Sequence, residues 1–212
     1  MEAHMRRPHF IAEQARHATG PLGRIIAFIM ARETWAENQR AIDALDIQPT
    51  DHILDIGCGH GRSLGELAAR APHGCAVGAD PSDLMVQIAV DRNRALVKAR
   101  RAKVVVATAG DLPFADAAFD KALCVHVLYF WKDLHSSFQE MARVLKPGAK
   151  LALVFRSTEH ADAVQSFPSD VYRFPEFAEV EAMLAQVGFS VAPAPEPGGD
   201  VRAHLLIATR LP

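Results

Sequence analysis

The 212-residue chain predicts a doubly wound α/β domain, a seven-stranded, mostly parallel sheet covered by helices and ending on an antiparallel last strand. Three observations predict it. From residue 52 onward, short apolar and β-branched runs alternate with longer stretches whose apolar residues recur at three-and-four spacing. Half of the residues are hydrophobic and 23% are charged, enough apolar material for one sizeable core. The last thirty or so residues carry two strand-like runs joined by a segment too short and too rich in Pro and Gly for a crossover helix, which implies a hairpin.

In chain order, residues 1–46 read as a helical cap belonging to the same domain, and 47–212 as its main body. Within the cap Ile25, Phe28, Ile29, Ile42 and Leu45 lie at helical spacing, while Arg24, Arg32 and Arg40 recur every eighth position. The pattern predicts an amphipathic helix or two packed on the domain. A sharper version makes it a lid with affinity for lipid or another apolar substrate. The apolar stretch 22–31 is interrupted by Arg24 and is far short of the ~20 residues that span a bilayer, so no transmembrane helix is expected.

The spacing predicts strands over 52–56, 75–79, 103–107, 119–125 and 149–155, each apolar enough to be buried on both faces. Helices are predicted over 62–70, 82–96 and 134–145, the last stopped by Pro147-Gly148, and over about 176–186, closed by Gly188. Residues 189–193 and 203–209 form the final hairpin, with its loop at about 193–199.

Charge and cysteines narrow the function. With 23 Lys and Arg against 25 Asp and Glu, the formal charge is −2, which argues against a dedicated nucleic-acid binder. The basic residues between 92 and 103 suit the end of a helix better than a phosphate-binding patch. Three cysteines (Cys58, Cys75, Cys124) cannot all pair, none is spaced CxxC, and no signal-peptide core follows the N-terminus, so a reducing cytoplasm is expected. No His or Cys set has metal-ligand spacing, and no metal site is expected.

The most informative segment is Ile53-Leu54-Asp55-Ile56-Gly57-Cys58-Gly59-His60-Gly61-Arg62, an apolar strand running through alternate glycines into a helix. Such a turn lets a ligand approach the backbone where a side chain would collide. Arg62 stands where a dinucleotide fingerprint needs its third glycine, and a phosphate-cradling loop would need a lysine that is absent. Asp55 would repel a pyrophosphate but suits the ammonium of an amino-acid-bearing cofactor. Further on, Asp80 at the end of the second strand is placed to accept from ribose hydroxyls. Ser82 reads as a helix N-cap, and Met85 lies one turn later, placed to pack an adenine. Gly110-Asp111-Leu112-Pro113-Phe114, after the third strand, offers an acceptor for an exocyclic amine and an apolar edge.

The successive runs ILDIGCGHG, GADPS, GDLPF, FDKALCVHVLYFW and MARVLKPGAKLALVF resemble the motifs of the class I S-adenosylmethionine-dependent methyltransferases, in particular the methyltransferase type 11 group, from about residue 50 to 155. The resemblance implies a Rossmann-like fold, S-adenosyl-L-methionine as cofactor, and methyl transfer to a small-molecule or lipid-like acceptor. It makes Asp55, Gly57, Gly59 and Gly61 the methionine-side loop, Asp80 the ribose ligand, and Asp111 with Leu112 the adenine contacts. Cys58, Pro81, Met85, Gly110 and His126 stand beside them. His60 replaces the small residue or proline often found in that loop.

Ligands of open α/β sheets sit outside the carboxyl ends of the strands. After the fourth strand that places His126 and Tyr129 as candidate catalytic residues, with Phe130 and Trp131 as an aromatic wall and Cys124 in the core. Arg156 and the stretch 167–177 are expected near the mouth of the acceptor pocket, and Trp35 and Asn38 over the cofactor. Two other functions compete: a non-catalytic binding module of the same fold, and a nicotinamide-dependent oxidoreductase, which the missing third glycine disfavours.

Overall fold

The computed structural model describes residues 7–193 and 203–212. Three helices come first, α1 (His9–Arg16), α2 (Gly20–Glu33) and α3 (Trp35–Ala44). The chain then enters strand β1 (His52–Ile56), whose residues beyond His52 are all buried, as suits the centre of a sheet covered on both sides. β1 pairs in parallel with β2 (Cys75–Asp80) on one side and β4 (Phe119–Val125) on the other. β3 (Ala102–Val106), β5 (Leu145–Phe155), β6 (Phe189–Pro193) and β7 (His204–Arg210) complete the order β3-β2-β1-β4-β5-β7-β6. β7 runs antiparallel to both β5 and β6, so the reversed last strand is where the short connection puts it. The hairpin loop predicted at 193–199 lies, beyond Pro193, outside the described residues.

Alternate residues of each central strand feed two cores. Ile53, Leu123 and Val154 meet Ile42 and Leu45 of the cap and Leu64 and Leu67 of α4 (Arg62–Arg70). Leu54, Leu151 and Leu153 meet Phe138 and Met141 of α7 (Leu134–Val144) and Val180 and Leu184 of α9 (Phe177–Gln186). Ile42 and Leu45 are fully buried, so the end of the cap is part of the domain core.

Three elements depart from the sequence reading. The predicted helix over 82–96 is two helices, α5 (Asp83–Arg92) and α6 (Arg94–Lys98), interrupted at Asn93. The Asn93 side-chain amide donates to the carbonyls of Ala89 and Gly61, competing with the helical backbone while tying the helix to the glycine turn. β5 begins at Leu145, and Lys146 to Ala149 form an irregularity in its pairing with β4, Gly148 taking φ +78°. In the cap, Ile25, Phe28 and Ile29 stay more than half exposed, Phe28 touching the domain at His60; the buried side of α2 carries Gly23 and Ile26, and a Cβ on Gly23 would crowd Gln14 and Ala18. A further short helix, α8 (Ala161–Ser166), follows β5.

The sheet order reverses between β1 and β4, one of which continues toward β2 and the other toward β5. The crevice outside the carboxyl ends of these strands is where an open α/β sheet binds its ligand.

Candidate active site

A cavity of about 630 Å³ occupies that crevice, closed from above by the cap. Its volume lies in the ~300–1,000 Å³ range usual for small-molecule sites. The floor is the turn after β1. Gly57, Gly59 and Gly61 have φ of +75°, +52° and +72°, which L side chains rarely adopt. The amides of Gly57 and Cys58 both donate to Ala79 O, at 2.7 and 3.2 Å, and pin the turn to the end of β2. A Cβ on Gly57 would come within 2.4 Å of Val127 Cγ1, and one on Gly61 within 2.7 Å of Ala89 Cβ. Gly59 is different: no atom lies within 4 Å of where its Cβ would be, and the residue lines the cavity. Its open side is space for a ligand close to the backbone.

Two carboxylates lie on the sheet side of the cavity. Asp55 accepts a short hydrogen bond from Ser63 Oγ, its one protein partner among the described residues, and faces the cavity. Burial pushes its carboxyl up to about 7 against the Ser63 bond, with Asp80 adding to the rise. Asp80 accepts from the Gly59 amide through one oxygen and from the Ser82 amide through the other, each at 2.9 Å. Burial raises its carboxyl too, opposed by those two amides and by the charge of His17. Two buried acids, both raised by desolvation and facing the cavity, fit a cationic ligand, whose charge would offset that desolvation.

The remaining walls sort the sequence candidates. Cys58, Pro81, Met85, Gly110 and His126 line the cavity together with Asp55, Gly57, Gly59 and Asp80. Ser82 caps α5 by accepting from the Met85 amide, and its hydroxyl donates to Ala18 O of the cap at 2.7 Å. Trp35 and Asn38 close over the cavity, and the Arg62 guanidinium stacks 3.9 Å above the Trp35 ring.

Gly61, Asp111, Leu112 and Tyr129 lie off the cavity wall. Gly61 packs against Ala89 and Asn93 behind the turn. The chain passes the cavity with residues 107–110, Thr108 among them, then turns away so that Asp111 is exposed. Leu112 is buried in the core; its amide donates to Glu140 Oε1 at 2.9 Å and its carbonyl accepts from Arg143 Nη2 at 3.0 Å. Arg143 also holds Phe114 O and Asp116, so one arginine of α7 fixes this whole loop. No local pattern in the sequence signals that clamp.

His126 follows β4 in the left-handed region, φ +57°. Its Nε2 contacts Glu37 Oε2 of α3 at 2.8 Å, and its Nδ1 contacts the Tyr129 hydroxyl at 3.0 Å. The Tyr129 oxygen accepts from the Arg156 amide at 2.6 Å. Burial alone would raise the Glu37 carboxyl, but the hydrogen bond and charge of His126, with Arg156 and Arg40, hold it below its ordinary range. Burial pushes the Tyr129 phenol well above its usual value. Glu37 is a residue the sequence reading missed, its link to His126 spanning 89 positions. The segment 167–174 is also placed differently from expectation. Phe167, Tyr172 and Phe174 form an aromatic cluster with Tyr129 and Phe130, at centroid distances such as 4.8 Å for Phe130–Tyr172, and support the cavity wall from behind.

Comparison with known proteins agrees with this fold. The methyltransferase-domain family model matches residues 54–153. The chain is 34% identical to the O-methyltransferase rstn1 of Aspergillus nomiae over 66% of its own length and 64% of that protein's, and thus spans less than two thirds of that relative. It is 30% identical to the uncharacterized methyltransferase YdaC of Bacillus subtilis, covering 66% of this chain and 74% of YdaC. Among solved structures, geranyl diphosphate C-methyltransferase from Streptomyces coelicolor A3(2), crystallised with S-adenosyl-L-homocysteine, superposes with a TM-score of 0.68 at 18% identity, covering 83% of this chain and 76% of that one. With the reversed seventh strand, the glycine turn and the two buried aspartates in one crevice, the chain belongs to the class I S-adenosylmethionine-dependent methyltransferases.

Proposed function

We propose that the protein methylates a small, largely apolar molecule, and that it does so by orientation and exclusion of water. The observation that carries this reading is the cavity itself: acids on its sheet side, an open backbone at Gly59, and aromatic and amide groups of the cap across from them. Bound S-adenosyl-L-methionine supplies an electrophilic methyl on a sulfonium. Asp55 would accept from the cofactor's ammonium and Asp80 from its ribose hydroxyls through lone pairs that the Gly59 and Ser82 amides leave free. Gly57 and Gly59 let the methionine portion reach the backbone, and Met85 with Ala109 and Gly110 offers an apolar slot for a purine.

On the acceptor side, Trp35, Phe130 and Trp131 supply flat apolar surface, and Asn38 and Lys132 polar groups. Holding a nucleophile in line at near-attack distance contributes most of the rate in such displacements. Both ring nitrogens of His126 are engaged by Glu37 and Tyr129, so the residue serves to position the wall, and an acceptor that ionises readily needs no base. The name of one relative, an O-methyltransferase, supports an oxygen nucleophile, and a reducing cytoplasmic setting is supported by three free thiols.

Isothermal titration with S-adenosyl-L-homocysteine tests the cofactor half: binding is expected, weakened at least tenfold by Asp80→Ala, and a folded protein that binds neither cofactor nor product refutes it. A panel of phenols and long-chain enols, scored by homocysteine-product release, tests the acceptor half. Turnover confined to polar acceptors such as free amino acids would overturn that part.

A further inference from the structure

We propose that helix α2 is a docking face for an anionic lipid surface, laid beside the mouth of the cavity. Four large apolar side chains of one helix are left in solvent: Leu22 is 47% exposed, Ile25 59%, Phe28 52% and Ile29 54%. At 3.6 residues per turn they fall within an arc of about 120°. Soluble monomers rarely leave so contiguous an apolar face open, and one of this kind marks an interaction site. No helix among the described residues is long and apolar enough to cross a membrane, so the contact would be one of lying on a surface.

Charge selects the occupant. Arg24 flanks the apolar arc and Arg32 continues it by one turn; both are exposed, and neither has a carboxylate partner among the described residues. Arg92 of α5 sits with its guanidinium 5.4 Å from the Phe28 ring, adding a third cation at the rim. The one acid of α2, Glu33, is taken by Arg7 at 3.2 Å. In a two-fold dimer built on this face the arginines of one copy would confront those of the other. Apolar side chains bordered by arginines instead match an acyl layer beneath anionic headgroups, whose negative surface potential attracts each cation held near it.

The face is also continuous with the site. Phe28 packs edge-on against His60 at 5.9 Å, and His60 lines the cavity. A molecule dissolved in the lipid layer would therefore meet the cavity without crossing open water. This gives His60, the unusual residue of the glycine turn, a place at the junction of the two surfaces.

The test needs neither cofactor nor acceptor, so its outcome is independent of methyl transfer. The full-length protein is sedimented with vesicles of phosphatidylcholine alone, and with vesicles in which about one third is phosphatidylglycerol. Binding is expected to the mixed vesicles, at least tenfold above neutral ones at low salt and reduced by high salt. The double substitution Ile25→Ser/Ile29→Ser should lose about tenfold or more of that binding, and Arg24→Gln/Arg32→Gln should lose the preference for anionic vesicles. Both variants should keep the circular dichroism spectrum, melting temperature and S-adenosyl-L-homocysteine affinity of the parent. Absence of binding to anionic vesicles overturns the proposal. So does full retention of binding by the Ile25/Ile29 variant. A dimer in light scattering that this variant dissociates would also overturn it, assigning the face to a second copy.

Discussion

Replacing Asp55 by Asn should make the ligand-free protein more stable and its cofactor site useless, and the size of the first effect follows from burial. The carboxyl is pushed from an ordinary 3.8 to about 7. Below pH 4 it is protonated whether the chain is folded or not, and it costs the fold nothing. As pH rises from 4 to 7 the unfolded chain ionises and the folded one does not, so stability is lost by about 1.4 kcal/mol per pH unit. Above pH 7 the accumulated loss is about 4 kcal/mol, all of which Asp55→Asn removes while keeping an acceptor for Ser63. In a domain of this size that corresponds to a rise of roughly 10 °C in melting temperature. Differential scanning calorimetry of the parent and the variant at pH 4.5 and pH 8 reads it: near-coincident transitions at the lower pH, well-separated ones at the higher. The same charge should couple cofactor binding to pH. A ligand ammonium favours the ionised carboxylate, so below pH 7 binding must release a proton, and affinity for S-adenosyl-L-homocysteine should fall by up to tenfold per unit of acidification. A variant equally stabilised at both pH values, or an affinity in the parent unchanged between pH 5.5 and 8, would show that Asp55 is not the buried acid described here.

Two further substitutions separate folding from binding. Gly57→Ala drives a Cβ to 2.4 Å from Val127 Cγ1 at φ +75° and should cost about 1–3 kcal/mol of stability, whereas Gly59→Ala meets no protein atom within 4 Å and should cost about 1 kcal/mol yet weaken cofactor binding at least tenfold; thermal melts with titration calorimetry distinguish them, and equal destabilisation by both would refute the assignment of the space beside Gly59. Tyr129→Phe removes the acceptor of the partly buried Arg156 amide and should lower stability by about 1–3 kcal/mol, with the turnover number changed less than tenfold; a fall of a hundredfold or more at unchanged melting temperature would make Tyr129 a catalytic residue.

The parts of this fold that the sequence exposes are those where the cause is local. An apolar run buried on both faces, a glycine needing positive φ, and a serine accepting from the amide three residues on are each settled within a few positions, so β1, the glycine turn, Ser82 and the closing hairpin are all visible in the chain. Asn93, Arg143 and Glu37 are not, because their partners lie 32, 31 and 89 positions away. For Asp111 the motif shows the turn but not where its carboxylate points. β3 ends at Val106, the chain spends 107–110 on the cavity wall, and the turn from Thr108 to Asp111 carries the carboxylate out to solvent. The exposed side of α2 was hidden for a different reason. A periodic pattern shows that a helix has an apolar face, but Gly23 and Ile26 let the other side pack instead.

The position of His126 bears on what kind of catalysis this cavity supports. A general base needs a lone pair directed at the substrate, and this imidazole has both nitrogens committed, one to Glu37 and one to the Tyr129 hydroxyl. Freeing Nδ1 would require moving Tyr129, which the Arg156 amide and the rings of Phe130, Tyr172 and Phe174 hold in place. Freeing Nε2 would leave a mostly buried Glu37 carboxylate without its hydrogen-bond donor. Both moves are costly, and both would loosen the contact between cap helix α3 and the end of β4 that closes the site. The same network therefore explains a histidine in left-handed backbone geometry: the strain is repaid by a link joining α3, β4 and the start of the segment after β5 around one ring. In the reading proposed above this ring keeps the cavity wall in register, and an acceptor that ionises readily needs no base from it.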